Sequence, residues 1–186
     1  MLCRNSKLLG TALFTAIAIA TAGGITMAAD GGRVKTLALK DDCDPATFNA
    51  PAPAGVGPGT CVGGGDTTFA EFIGELQQDR VAEDWEIDPD DLDVQTGQRL
   101  RARNEGGEAH TFTEVGTFGG GFVPPLNALS GNPTPAAECL AASVGATIVP
   151  AGGLSAPTAP LSNGTHRFQC CIHPWMRTVV TVETKR

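Results

Sequence analysis

The chain has 186 residues, with 13 Lys and Arg against 20 Asp and Glu, a formal net charge of -7 and a composition that is 41% apolar. That length and apolar share suit one domain with one core and exclude wholesale disorder, while scattered cations on an acidic chain argue against the basic patch that nucleic acid requires. The 24 Gly and 13 Pro favour short strands and many turns over long helices.

The N-terminus reads as targeting sequence. Arg4 and Lys7 precede an uncharged run from Leu8 to Ala29 that is rich in Ala, Leu, Ile and Thr and closes on small residues. Residues 1–29 are expected to be a secretory signal, cut after Ala28 or Ala29, with Ala22 as the second choice. An uncleaved anchor is the competing reading. Loss of Cys3 with the signal leaves Cys43, Cys61, Cys139, Cys170 and Cys171. Export permits disulfides, and an odd count leaves at least one cysteine free, intermolecular or bound to something else.

Residues 30–66, rich in Gly, Pro, Ala and Asp, are predicted to be a loop-like arm stapled by Cys43 and Cys61. Phe69, Phe72, Ile73 and Leu76 fall at helical spacing behind a Thr68/Glu71 capping box, which predicts a helix over 69–79. Residues 83–93 hold seven acids. They lack the glycine and terminal glutamate of a calcium loop, so they read as solvated strand edges around Trp85, Ile87, Leu92 and Val94, able to steer a basic partner. Strands follow at Arg99–Arg103 and His110–Glu114, with His110, Phe112 and Glu114 on one face. A long segment, 116–162, contains Cys139 and a short strand candidate, Ala146–Val149; loops of that length are functional or tied down. The last strands are His166–Cys170 and Val179–Glu183, and Asn163-Gly164-Thr165 reads as a turn before the first of them.

Chemistry concentrates near the C-terminus. Cys170-Cys171-Ile172-His173-Pro174-Trp175-Met176 gathers a thiol, an imidazole and a thioether in one loop. Soft and borderline donors of this kind select copper, and two histidines with a thiolate and a weak axial Met form the blue-copper set. The second histidine is expected from His110. His166 reads as an ordinary strand residue.

With these residues the sequence resembles the cupredoxins, the type I blue-copper proteins, and within them the amicyanin and plastocyanin branch. The resemblance rests on Asn104–Thr113 and Gly164–Val182, where His110 matches the upstream histidine and Cys170, His173 and Met176 match a Cys-x2-His-x2-Met loop. Thr178 stands where the family commonly has Gly. The resemblance implies an all-β, Greek-key β-sandwich, here with a short N-terminal helix and a long loop insertion, over residues 67–186. It also implies one copper ion held by His110, Cys170, His173 and Met176.

Strand alternation points Cys170 with Phe168 toward the core and Cys171 outward. The four other cysteines allow three pairings, of which Cys43 with Cys61 and Cys139 with Cys171 is the simplest. Thr111 is expected to brace the cysteine loop, Pro174 to stiffen it, and Trp175 to shield the metal. In the fold the family implies, His173 lies near an apolar surface patch and is the expected electron exit.

The expected function is single-electron transfer between redox partners by an exported, periplasmic or extracellular, monomeric protein. It is expected to be an electron carrier and not an enzyme, with a protein redox partner of basic surface, no nucleic acid and no membrane span after signal cleavage. Copper storage or delivery, or service as an accessory subunit of an oxidoreductase, is the alternative.

Overall fold

The computed structural model describes residues 34–184; the expected signal, 1–29, lies outside them. The elements in order are β1 (Val34–Lys40), α1 (Pro45–Phe48), α2 (Phe69–Asp79), β2 (Glu86–Asp88), β3 (Asp91–Gln95), β4 (Arg99–Asn104), β5 (His110–Thr111), β6 (Thr113–Glu114), α3 (Pro124–Leu129), β7 (Ile148–Val149), β8 (Gly164–Gln169) and β9 (Arg177–Glu183). One sheet has the order β2-β1-β4, a second β3-β9-β8-β6, and β5 pairs with β7 in a two-stranded third. Leu37, Leu39, Ile87, Leu100 and Ala102 from the first sheet and Val94, Phe168, Val180 and Val182 from the second bury into one cluster. The chain is therefore mainly β, a sandwich of mixed sheets with few helices. Among the described residues no helix is long and apolar enough to cross a membrane.

The segment expected as a loop-like arm departs from that expectation in its first half, which forms a strand and a short helix. Val34–Lys40 is the central strand of the first sheet, parallel to β4 with Leu37 opposite Ala102 and antiparallel to β2 with Leu39 opposite Ile87. Its alternation is real, with Leu37 and Leu39 buried, but only two apolar positions carry it. Asp44 then caps α1, its carboxylate accepting from Ala46 N–H and Thr47 N–H.

The helix α2 occupies the predicted 69–79, with the Thr68/Glu71 capping box formed in both directions. It buries Phe72 and Leu76. Phe48 of α1 stacks on Trp85 at 5.7 Å between ring centroids, and Phe72 lies 4.6 Å from the same indole. These helices thus form an aromatic cap over one end of the sandwich. Such ring pairs add about 0.5–1.5 kcal/mol each beyond the area they bury.

The Cys43–Cys61 disulfide closes the loop between β1 and α2, and this loop packs on the turn after β4. Gly107 is needed there, because a Cβ on it would stand 2.5 Å from Gly63 N and 2.7 Å from Cys43 Sγ.

The 116–162 segment is tied to the outer face of the second sheet. Cys139 is bonded to Cys171, and with Val115 and Ala136 they make a second small core. Gln169, fully buried, accepts from Gly119 N–H at 3.1 Å and donates to Gly119 O at 3.2 Å. Asn127 of α3 makes the same two-way contact with Gly121 at 2.7 and 2.9 Å. Cys171 does point away from Cys170, yet it is buried, because the insertion covers it. The strand in this segment is Ile148–Val149, preceded by a 3-10 turn over Ala142–Thr147.

Replacing Cys43 and Cys61 together by Ala is expected to lower the unfolding free energy by about 3 kcal/mol. Urea titration checks this; an unchanged midpoint would deny the staple its role.

Candidate metal centre

The three chemistry-bearing side chains arrive from different elements. His110 opens β5, Cys170 follows the last residue of β8, and His173 sits in the tight loop between β8 and β9. Main-chain bonds close that loop, with Met176 N–H donating to His173 O and Cys170 N–H to Met176 O, both at 3.0 Å. The sulfur of Cys170 accepts from Thr111 N–H at 3.3 Å and His173 N–H at 3.5 Å. Backbone donors aimed at sulfur favour the thiolate.

Cys170 Sγ lies 3.9 Å from His110 Nδ1 and 3.8 Å from His173 Nδ1, and the two nitrogens are 3.2 Å apart. The three residues are at most 2% exposed and form one cluster able to hold a metal ion. Separations of this size suit three donors around one ion with bonds of about 2.0 Å to nitrogen and 2.3 Å to sulfur. A thiol with two imidazoles is the chemistry that suits copper, so the residues present fit one copper ion.

Why both rings turn Nδ1 inward is visible on their far sides. Asp41 Oδ2 lies 2.8 Å from His110 Nε2, and Glu108 Oε2 lies 3.5 Å from His173 Nε2. An Nε2–H given to a carboxylate leaves the lone pair on Nδ1. Asp41 also accepts from Gly107 N–H at 2.9 Å and Glu108 N–H at 3.1 Å, so this buried charge is well supplied with donors. Glu108 Oε2 accepts from Trp85 Nε1–H at 2.7 Å.

The electrostatics follow from this wiring. Burial works against an ionised Cys170, but the hydrogen bonds and charges of His110 and His173 outweigh it and hold the thiol well below its ordinary value. Burial likewise works against a charged His110, and its hydrogen bonds to Asp41 and then Cys170 bring it up to about 9. Burial would raise Asp41, and His110 together with the two backbone donors holds it down. Glu108 is raised, chiefly by burial, against the pull of His173 and Trp85.

Other residues singled out from the sequence fall around this group. Thr111 Oγ1 accepts from Cys171 N–H at 2.7 Å and from Thr113 Oγ1–H at 3.0 Å, tying β5 to the cysteine loop. Pro174 is buried, and its carbonyl accepts from Arg177 Nε–H at 2.7 Å. Trp175 lies 5.4 Å from the His173 ring. Met176 is buried within the same loop. His166 stands outside the cluster, bonded through Nδ1 to Glu114 at 2.6 Å and through Nε2 to Ser162 O at 3.0 Å.

His173 itself is buried, 2% exposed. Phe72 of α2 meets it edge-on at 6.3 Å. Sequence reasoning missed Asp41 and Glu108. Proximity to Cys43 and to His110 was the only available signal, and nothing set these carboxylates apart from the chain's many others.

No protein-family model and no curated protein matches the chain. Some solved structures are similar to it. A purple cupredoxin from Nitrosopumilus maritimus is 10% identical over 80% of this chain and 98% of its own, with a TM-score of 0.40. A plastocyanin from Dryopteris crassirhizoma is 13% identical over 80% and 100%, with a TM-score of 0.38. A mutant amicyanin in its Cu(I) form is 17% identical over 53% and 73%, with a TM-score of 0.35. Similarity at this level carries no functional weight; the donors and their wiring do.

Asp41→Ala would leave two backbone donors and the His110 Nε2–H without their acceptor. It is expected to cost about 3 kcal/mol in chemical denaturation, and a loss below 1 kcal/mol would contradict the wiring. For His166, burial lowers the pKa, but the bonds to Glu114 and Ser162 raise it above 6.5. That pair therefore stabilises the fold fully below the ordinary value and less as pH rises above it. Glu114→Gln is expected to lower the His166 pKa, read from its ring proton shifts against pH.

Proposed function

We propose that this chain is an exported mononuclear copper protein that carries single electrons between redox partners and does not catalyse by itself. His110 Nδ1, Cys170 Sγ and His173 Nδ1 are the three strong ligands in this reading, with Met176 as the weak axial fourth. The observation that carries it is the convergence of the three donor atoms in a buried pocket, each imidazole backed by a carboxylate. Copper bound there would supply a one-electron Cu(I)/Cu(II) couple.

What the chain itself does is hold the donors still and keep water away. Asp41 and Glu108 fix the ring orientations, Thr111 and the backbone donors fix the sulfur, and the tight loop ties His173 and Met176 to Cys170. Little rearrangement is then needed between two oxidation states that share these ligands. The aromatic cap of Phe72, Trp85 and Trp175 supplies an apolar surround that tunes a redox potential.

Two disulfides support an oxidising compartment and hence export, to a periplasm or beyond the cell. Storage or delivery gains less support, because burial of every donor slows the ligand exchange that handing over a metal requires.

The test is the visible spectrum after Cu(II) is added to the wild type, Cys170→Ser and the double variant Cys139→Ser/Cys171→Ser. An intense thiolate-to-copper band is expected in the wild type and the double variant and is expected to vanish in Cys170→Ser. A colourless, folded wild type would overturn the electron-carrier reading.

A further inference from the structure

A charged side chain bridges the 116–162 insertion and the metal-binding loop. Arg177, the first residue of β9, donates from Nε–H to Pro174 O at 2.7 Å and from Nη2–H to Asn132 Oδ1 at 2.6 Å. Its guanidinium lies over the ring of Phe118, 4.9 Å from the centroid, within the range of a cation–π contact. Pro174 stands between His173 and Trp175 in the loop, whereas Asn132 and Phe118 belong to the insertion. One planar group thus touches both.

Each end of this bridge is anchored. Asn132 turns its oxygen to Arg177 because its Nδ2–H groups go to Ser130 O at 2.9 Å and Ser130 Oγ at 3.1 Å, and its own N–H donates to Asn127 O at 2.8 Å. Asn127 in turn exchanges two hydrogen bonds with Gly121, and Phe118 packs on the small core around the Cys139–Cys171 disulfide. At the other end, the bonds from Met176 N–H to His173 O and from Cys170 N–H to Met176 O close the loop in which Pro174 lies. Hydrogen bonds from a charged donor are stronger than neutral ones. A lysine has no planar fork with which to reach a carbonyl, an amide oxygen and a ring face at once.

We infer that Arg177 is a positioning residue of the metal centre: it clamps the loop of His173 and Met176 to the insertion, so that the insertion holds these donors in place and slows the release of a bound ion. The clamp is a property of the chain alone, and its effect on the ion rests on the copper reading.

Amide exchange of Met176 in the metal-free protein reports opening of the loop, since that N–H is held by His173 O. Arg177→Met and, separately, Asn132→Ala, at a residue bonded to none of the donors, are each expected to speed it roughly tenfold, as the loss of one hydrogen bond to a charged group implies. Asn132→Asp keeps the acceptor oxygen, gives up the bonds to Ser130 and is expected to exchange at the wild-type rate. Arg177→Lys keeps the charge without the fork and is expected to exchange like Arg177→Met. In the Cu(I)-loaded protein, transfer of the ion to bathocuproine disulfonate is expected to quicken by a similar factor in Arg177→Met, Arg177→Lys and Asn132→Ala, with circular dichroism unchanged.

Wild-type exchange in Asn132→Ala or in Arg177→Lys would overturn the inference, as would exchange in Asn132→Asp as fast as in Asn132→Ala. Faster exchange with unaltered copper transfer would confine the clamp to the fold and overturn its role at the centre. Faster exchange in a protein that binds no copper would uphold the clamp and remove the copper reading. A blue band with wild-type exchange in every variant would do the reverse.

Discussion

The bond between Asp41 Oδ2 and His110 Nε2, 2.8 Å long and fully buried at both ends, is the contact on which the rest of the site depends. A carboxylate and an imidazole in an apolar interior are costly unless each finds partners. Asp41 finds them in the Gly107 and Glu108 N–H groups as well as in His110. Those donors exist only because the turn after β4 packs against the loop that follows β1. Strand β1 lies beside β4 in the sheet, and Glu105 N–H donates to Leu39 O at 2.8 Å. The strand pairing, the Cys43–Cys61 staple and the close approach of Gly107 to Gly63 together set the distance between Asp41 and His110. An apparently peripheral segment thereby decides which nitrogen His110 presents.

The opposite side of the centre is held by the insertion. Two adjacent cysteines are divided between two cores by the alternation of a strand. Cys170 belongs to the main cluster, and Cys171 joins Cys139, Val115 and Ala136 beneath the insertion. The disulfide therefore anchors the residue next to the sulfur of the site without consuming that sulfur. Phe122 N–H donates to Cys171 O at 2.9 Å, and a Cβ on Gly121 would overlap the same carbonyl. Cys170 remains the free thiol among the described residues, buried and bordered by two imidazoles, the setting in which a thiol becomes a ligand.

Local patterns were legible where one short stretch contained the whole signal. Thr68, Glu71, Phe72 and Leu76 announce α2, and the spacing of Cys170 and His173 places two donors in one loop. The structure brings His110 to them from 60 residues away, through its strand. Features that depend on distant segments were not legible. Strand β1 shows only Leu37 and Leu39 as buried alternation, in surroundings of Gly, Asp and Pro that read as loop. Asp41 and Glu108 resemble every other carboxylate of an acidic chain until folding buries them. Phe72 packs edge-on against the His173 ring from a helix remote in sequence, so no reading of the loop alone would reveal that cover.

The central claim is that the chain presents a prearranged donor set, oriented from behind by buried carboxylates. A crystal structure of the copper-loaded protein tests it most directly. The expected result is one ion bound by His110 Nδ1, Cys170 Sγ and His173 Nδ1, with Asp41 and Glu108 still facing the two Nε2 atoms. An ion held through Nε2, bound by either carboxylate, or seated away from Cys170 would contradict it.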